Sequence, residues 1–325
     1  MKLALNRSNT ILLSLSLFIL LSVTKVNPIH AQELFISVSP PIVEVMIMPG
    51  KQTQTSFSII NEGMDGYASI RVVPFIPSDE EGNVNVIDNP NFSDIAAYEN
   101  WFSLLSPSVI PGDKFLLRRG DKKEIKLAIH PPIETAEKDY YFTLLYEMES
   151  GDSTQLGGYS GNISKAKIGA NLLISVSKDG KPYKKARIVE FSAPRLIDSL
   201  AKLSYTLRIE NTGQYFFKPT GTIGIEPLFG KKEKIKIAPV NIISSTTRNV
   251  PCIKEEELIQ CTYDKRVLVG FYKATASFTT DEEGKEYVAQ TTTIALPFTI
   301  VFAITSVLIA FILVQKRYKT VSKTY

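Results

Sequence analysis

The chain has 325 residues, 37 of them Lys or Arg and 33 Asp or Glu, for a formal net charge of +4. The surplus belongs to the two ends: Lys2, Arg7 and Lys25 lie near the start, and Lys316, Arg317, Lys319 and Lys323 near the finish, with no acid in either stretch. Setting these seven aside leaves 30 basic residues against 33 acidic ones, and a slightly acidic body has no electrostatic drive toward phosphate backbones, which excludes nucleic acid as a partner.

In chain order, the first element is an uncharged apolar run, Ile11–Val23, preceded by Lys2 and Arg7 and followed by Ile29-His30-Ala31. A basic start, a short apolar core and a small residue at the cut describe a secretory signal peptide over residues 1–31. From Leu34 the pattern turns to period two. Thr53–Ile60 (T-Q-T-S-F-S-I-I), Tyr67–Val73 (Y-A-S-I-R-V-V), Glu124–Ile129, Tyr140–Glu147 and Lys167–Val176 read as strands. Pro49-Gly50, Asn61-Glu62-Gly63, Pro111-Gly112 and Gly120-Asp121 punctuate them as turns. Short alternating runs between such breakers predict an antiparallel sandwich over residues 32–178. A weak helical pattern appears near Ser93–Trp101.

Lys178-Asp179-Gly180-Lys181-Pro182 is polar and breaker-rich and reads as the boundary to a second sandwich, residues 183–293. There, Leu203–Ile209 alternates and closes on Asn211-Thr212-Gly213, an echo of the run that closes on Asn61-Glu62-Gly63. Gly270–Thr279 and Glu286–Thr293 form a predicted hairpin around Asp281–Gly284, whose D-E-E-G repeats that of Asp79–Gly82. Both are read as turns, since a calcium loop wants alternating acids before its glycine. The last element is Ile294–Val314, 21 uncharged residues that would extend about 31 Å as a helix, enough to cross a bilayer. The basic tail, residues 315–325, places the C-terminus in the cytoplasm and the N-terminal body outside the cell membrane. The expected fold is therefore all-β: two tandem immunoglobulin-like β-sandwiches followed by a single transmembrane helix.

Several of these segments resemble a known family. Ile36-Ser37-Val38-Ser39-Pro40-Pro41 leads to the Pro49-Gly50 turn and T-Q-T-S-F-S-I-I-N; later come F-L-L-R-R-G-D-K-K-E-I-K-L-A-I-H-P-P and the aromatic run Tyr140–Tyr146. The succession resembles the immunoglobulin-like N-terminal domain of pilus chaperones and, more closely, the WxL-interacting surface proteins of Gram-positive bacteria. The latter share the order of signal peptide, two modules, one transmembrane helix and a short basic tail. The resemblance implies peptidoglycan binding by the first module and host or matrix contact by the second.

The residues offer little catalytic chemistry. Beyond His30 the chain has one histidine, His130, between an apolar strand and Pro131-Pro132, where a strand-end surface role is the simpler reading. Gly157-Gly158-Tyr159-Ser160-Gly161 is glycine-rich but lacks the G-x-x-x-x-G-K-[ST] of a phosphate loop. The expectation is a non-enzyme without cofactor or metal. Cys252 and Cys261, in an exported chain, read as one local disulfide. Trp101, followed by Phe102, Leu104 and Leu105, is read as a core anchor rather than a sugar platform. Lys231–Lys236 is read as a solvated strand or turn, with anionic lipid as the sharper alternative.

The candidate binding loop is Gly151–Asn162, between two strong strands at one end of the first sandwich, with Tyr159 as anchor and Gln155, Gly157, Gly158 and Ser160 beside it. The acidic turn Ser78–Asn83 and an unpaired sheet edge are the next candidates. The function so read is a membrane-anchored extracellular binding or adhesion protein whose partner is cell-wall glycan or another surface protein. The alternative is an anchored chaperone-like factor that holds exported subunits by strand addition.

Overall fold

A computed structural model describes residues 34–88, 98–106, 109–150, 164–281 and 284–321. The signal-peptide reading of residues 1–31 lies outside the described residues. The chain is mostly strand, with one long helix at its C-terminal end.

Ten strands occupy the N-terminal half: β1 (Ile36–Ser39), β2 (Ile42–Ile47), β3 (Thr53–Asn61), β4 (Gly66–Pro77), β5 (Val84–Val86), β6 (Phe102–Leu104), β7 (Phe115–Leu117), β8 (Lys122–Ile129), β9 (Asp139–Ser150) and β10 (Lys165–Val176). One sheet runs β1-β3-β8-β6; the other runs β2-β10-β9-β4-β5, with β7 also pairing β4. The two face each other because alternate residues are apolar: Phe57 and Ile59 of β3 and Ile125, Leu127 and Ile129 of β8 meet Ile70, Phe142, Leu144, Leu172 and Ile174. Each such side chain, fully buried, contributes about 1.5–3 kcal/mol. At Ser39-Pro40-Pro41 the chain changes sheets: β1 is antiparallel to β3, while β2 is parallel to β10, and the Ser39–Pro40 peptide is cis. Of the helical pattern near Ser93–Trp101, the described part is a 3-10 turn at Glu99–Trp101.

The C-terminal half adds β11 (Ala186–Ser192), β12 (Leu196–Asp198), β13 (Leu203–Ser204), β14 (Thr206–Asn211), β15 (Thr220–Pro227), β16 (Glu233–Ile237), β17 (Thr247–Asn249), β18 (Cys252–Lys254), β19 (Glu257–Ile259), β20 (Thr262–Tyr263), β21 (Gly270–Thr279) and β22 (Tyr287–Leu296). A seven-stranded sheet, β12-β22-β21-β15-β16-β18-β19, packs on β11-β14-β17. Leu207 and Ile209 meet Ile223, Ile225, Ala274, Ala276 and Phe278 in a second, separate core. The run read as one strand, Leu203–Ile209, divides at Tyr205: Leu203–Ser204 pairs β20, and the residues from Thr206 onward pair β11. Cys252 and Cys261 are disulfide-bonded, with Cα atoms 4.9 Å apart, and both are buried. In β16, Ile235 and Ile237 turn inward while Lys234 and Lys236 turn out, so the lysine run is a solvated strand face.

The Asn-x-Gly echo has a physical basis. Asn61 is fully buried; its Nδ2 donates to Met64 O (2.8 Å) and Leu117 O (3.0 Å), and its Oδ1 accepts from Gly63 N (3.0 Å). Asn211, equally buried, donates to Tyr215 O (2.9 Å) and Ile242 O (2.8 Å) and accepts from Gly213 N (2.9 Å). The same side chain closes the same kind of strand end in both halves, because an amide can satisfy two carbonyls and one N–H where the backbone leaves its ladder.

The C-terminal helix, α1, spans Phe298–Val321, and its stretch Phe298–Lys316 is long and apolar enough to cross a membrane. Its start differs from the sequence reading. Ile294–Leu296, assigned above to the span, are the last residues of β22, paired to β21 and β12. Pro297 sets the boundary: it has no N–H to continue the ladder and suits the approach to a helix.

Candidate functional site: an apolar slot beside an interrupted strand edge

Tyr159, Gln155, Gly157, Gly158 and Ser160, the candidate binding loop, lie outside the described residues. The acidic turn Ser78–Asn83 is described and has a structural task. Asp79 accepts from the N–H groups of Glu81 and Asn83 (3.0 Å each) and from Asn83 Nδ2 (2.6 Å), and these bonds hold its carboxyl below its ordinary value. Glu80 then reaches across to the C-terminal half, accepting from Arg208 Nε (2.7 Å), while Asn249 N donates to Glu80 O (2.8 Å).

A second set of contacts joins the halves at the base of β9. Asp139 is buried and accepts from Ser175 Oγ (2.6 Å), Tyr141 OH (3.0 Å) and the backbone N–H of Phe216. Tyr141 OH in turn accepts from Ser244 N (2.8 Å), and Tyr215 OH donates to Val176 O (3.0 Å). Burial pushes the Asp139 carboxyl up to about 6 despite its three donors, and the Tyr141 hydroxyl is raised by burial and by Asp139.

The third candidate is an unpaired sheet edge, and β4 has one interrupted side. On one side β4 pairs continuously with β9, from Gly66 to Pro74. On the other, β7 pairs with Gly66–Ala68 and β5 with Phe75–Pro77, and among the described residues no strand pairs with the stretch between. Two loop N–H groups reach into the gap: Gly112 N donates to Ile70 O (2.9 Å) and Ile87 N to Pro74 O (2.8 Å). In an antiparallel ladder alternate residues point their polar groups to the same side, so the N–H and C=O of Val72 face the gap as well.

Beside this edge lies an apolar slot of about 460 Å³ between the two sheets. Ile70, Val72 and Phe142 form one wall, Phe102, Leu104 and Leu127 the other, and Tyr98 and Pro111 stand at its ends. Tyr98 meets Trp101 and Phe142 edge-on, with centroids 5.2 Å away in each case, while Trp101 itself is 4 % exposed and a core anchor, as its sequence context implies. On the outer face of the same strands, Arg71 pairs with Asp88 (2.8 Å) and Glu147 (2.9 Å), and Lys167 joins both carboxylates. Partial burial opposes the charge on Asp88 and Glu147, yet the two cations outweigh it and hold both carboxyls below their ordinary values. The slot can thus take an apolar side chain, and the edge beside it can take one backbone N–H and C=O pair. Among the described residues, no group of three or more His, Cys, Asp or Glu is placed to hold a metal, and His130 is an exposed strand-end residue whose N–H donates to Trp101 O (2.8 Å).

The sequence reading names an unpaired sheet edge without saying which. The available signal was Pro74 in the middle of an alternating run: a proline inside a strand belongs where no ladder partner needs its N–H.

No family model and no curated protein matches the chain. Among solved structures it is similar to the class 5 fimbriae chaperone CfaA, with 15 % identity over 81 % of this chain and 100 % of that one and a TM-score of 0.35. It is also similar to the Salmonella enterica SafA pilin–SafB chaperone complex (9 %, 80 % and 97 %, TM-score 0.37) and to the Pseudomonas aeruginosa CupB2 chaperone (9 %, 76 % and 95 %, TM-score 0.32).

Proposed function

We propose that the chain is a non-enzymatic, single-pass membrane protein that presents two immunoglobulin-like modules outside the cell and binds an extended segment of another envelope or exported protein. The observation that carries this reading is the gap in β4: among the described residues no strand pairs with residues 69–74 on this side, and the gap lies beside an apolar slot of about 460 Å³. An added strand supplies main-chain hydrogen bonds to such an edge and drops alternate side chains into the slot, which gives affinity and selectivity together. Export through a signal peptide at residues 1–31, anchoring by α1 and a cytoplasmic tail place that slot on the membrane-distal module. The WxL-interacting resemblance fits the order of parts. A glycan partner has less support, since Trp101 is buried.

A second reading, an anchored chaperone-like factor for exported subunits, uses the same edge and differs in lifetime: a binding protein retains a folded partner, whereas a chaperone holds an incomplete one and releases it. The test is affinity capture from solubilised envelopes with the full chain, compared with Leu104→Arg at the slot mouth and Ile133→Arg elsewhere. The reading expects one defined exported protein retained by the parent and by Ile133→Arg and lost with Leu104→Arg, while Trp101 fluorescence stays native. Equal retention by all three, or retention of glycan alone, contradicts it.

A further inference from the structure

The end of the C-terminal half from which α1 leaves carries a concentration of exposed apolar side chains. β22 and β12 run parallel and both finish there, at Leu296 and Asp198; β15 finishes there at Pro227, and β21 begins there at Gly270. The connections at this end therefore lie side by side. They are tied by Leu228 N to Phe271 O (2.8 Å), Leu268 N to Ser199 O (2.7 Å) and Ser199 N to Leu296 O (3.0 Å). On them stand Leu200, Leu228, Phe229, Val267, Val269 and Phe271, each at least half exposed, with Phe229 at 73 %. At the opposite end of the same sheet the exposed described residues include Lys218, Thr220, Asp281 and Lys285.

Water-facing side chains of this size at adjoining loop tips mark an interaction surface. Its occupant follows from the anchor. A single residue, Pro297, separates β22 from α1, and the first turn of the helix is tied back to the sheet, where Thr299 N donates to Asp198 Oδ2 (2.8 Å) and Leu200 N to Asp198 Oδ1 (2.9 Å). The apolar stretch of α1 begins at Phe298, so the bilayer boundary falls level with these loops. Exposed Arg266 directly precedes Val267 in the patch, and basic side chains of this kind favour a headgroup zone.

We propose that Leu200, Leu228, Phe229, Val267 and Val269 insert into the lipid interface, making the base of the membrane-proximal module a second membrane contact beside the helix. The inference rests on the single-pass reading of α1. The half nearer the membrane then stands on the bilayer at a fixed tilt, and the slot of the distal half is held at a defined height instead of swinging on a flexible stalk.

The test uses the full chain in nanodiscs of phosphatidylcholine and phosphatidylglycerol, one chain per disc. Because Cys252 and Cys261 are bonded to each other, single cysteines introduced by Phe229→Cys, Val267→Cys, Ile133→Cys and Ile309→Cys accept an environment-sensitive fluorophore. Lipids spin-labelled just below the headgroup should quench probes at positions 229 and 267 severalfold more than the probe at position 133, which lies in the distal half and is 74 % exposed. Quenching at 229 and 267 no greater than at 133, while lipids labelled deep in the chain quench at 309, overturns the proposal and leaves the anchor intact. No deep quenching at 309 overturns the anchor itself, and the proposal with it. Probes at 229 and 267 shielded from both lipid and aqueous quenchers, in discs holding two chains and not in discs holding one, assign the patch to a second copy and also overturn it.

Discussion

Replacing Asn211 with alanine should unfold one half of the ectodomain far more readily than the other. Asn211 is fully buried, and its amide serves Tyr215 O, Ile242 O and Gly213 N. Ile242 O keeps a bond from Phe217 N (3.2 Å), so truncation deprives two backbone groups, Tyr215 O and Gly213 N, of this partner outright. A buried polar group left unpaired costs about 1–3 kcal/mol, and Gly213 N is only part-buried, which sets the total near 2–4 kcal/mol. The two cores are separate, so the loss should stay within residues 186–295. Hydrogen exchange with mass spectrometry on the full chain reads both halves at once. Under conditions where opening is in equilibrium, peptides from β14 and β21 should exchange ~30- to ~1000-fold faster, at tenfold per 1.4 kcal/mol. Trp101, in the other core, should keep its native fluorescence. Asn61→Ala should give the mirror result, loosening β3 and β8 and sparing the C-terminal half. A change below ~0.5 kcal/mol, the range of an ordinary surface substitution, would refute the capping role, and equal loosening of both halves would refute their independence.

Replacing Cys252 and Cys261 by alanine together should cost roughly 2–3 kcal/mol in the C-terminal half by the loop-entropy relation for a separation of nine residues, and a non-reduced digest of exported protein should contain the linked peptide. Asp139 binds its proton more tightly folded than unfolded, with a pKa raised from 3.8 to about 6. Its contribution is fully present below about pH 4, declines as the pH rises through the window from about 4 to about 6 and is gone above it, a change of about 3 kcal/mol over the whole window. Denaturation midpoints should accordingly rise as the pH falls from 7.5 toward 5.5, and Asp139→Asn should flatten that slope; a parent protein with no slope contradicts the assignment. Protease added to intact cells or protoplasts should digest the ectodomain and spare the tail after Lys316, and protection of the ectodomain would reverse the topology.

Long strands with clean alternation were legible in the sequence. Thr53–Ile60 and Gly270–Thr279 lie within β3 and β21, since one side of each faces a core, and Tyr140–Glu147, an aromatic and apolar run, lies within the largely buried β9. Short edge strands such as β5, β6, β7 and β12 have three residues each, too few to carry a period, and their pairing is set by neighbours far away in the chain. The helix start was misplaced for a related reason: Ile294, Ala295 and Leu296 are apolar whether they belong to a strand or to a span, and β12 and β21 decide the matter. The interruption between β5 and β7, seen among the described residues, is a property of long-range pairing, and only Pro74 hints at it in the sequence. The contacts of Asp139 and Tyr141 with Phe216 and Ser244 join residues 77 and 103 positions apart, a separation no local pattern encodes.

The measurement that bears most directly on the proposed binding role is photocross-linking from the slot in living cells. A benzophenone side chain at position 104, across the slot from Val72, should yield an adduct with an exported or surface protein whose cross-linked peptide is an extended segment of alternating apolar residues. The same probe at position 133 should not. A glycan adduct, or no adduct at position 104 above the level at 133, would contradict the account.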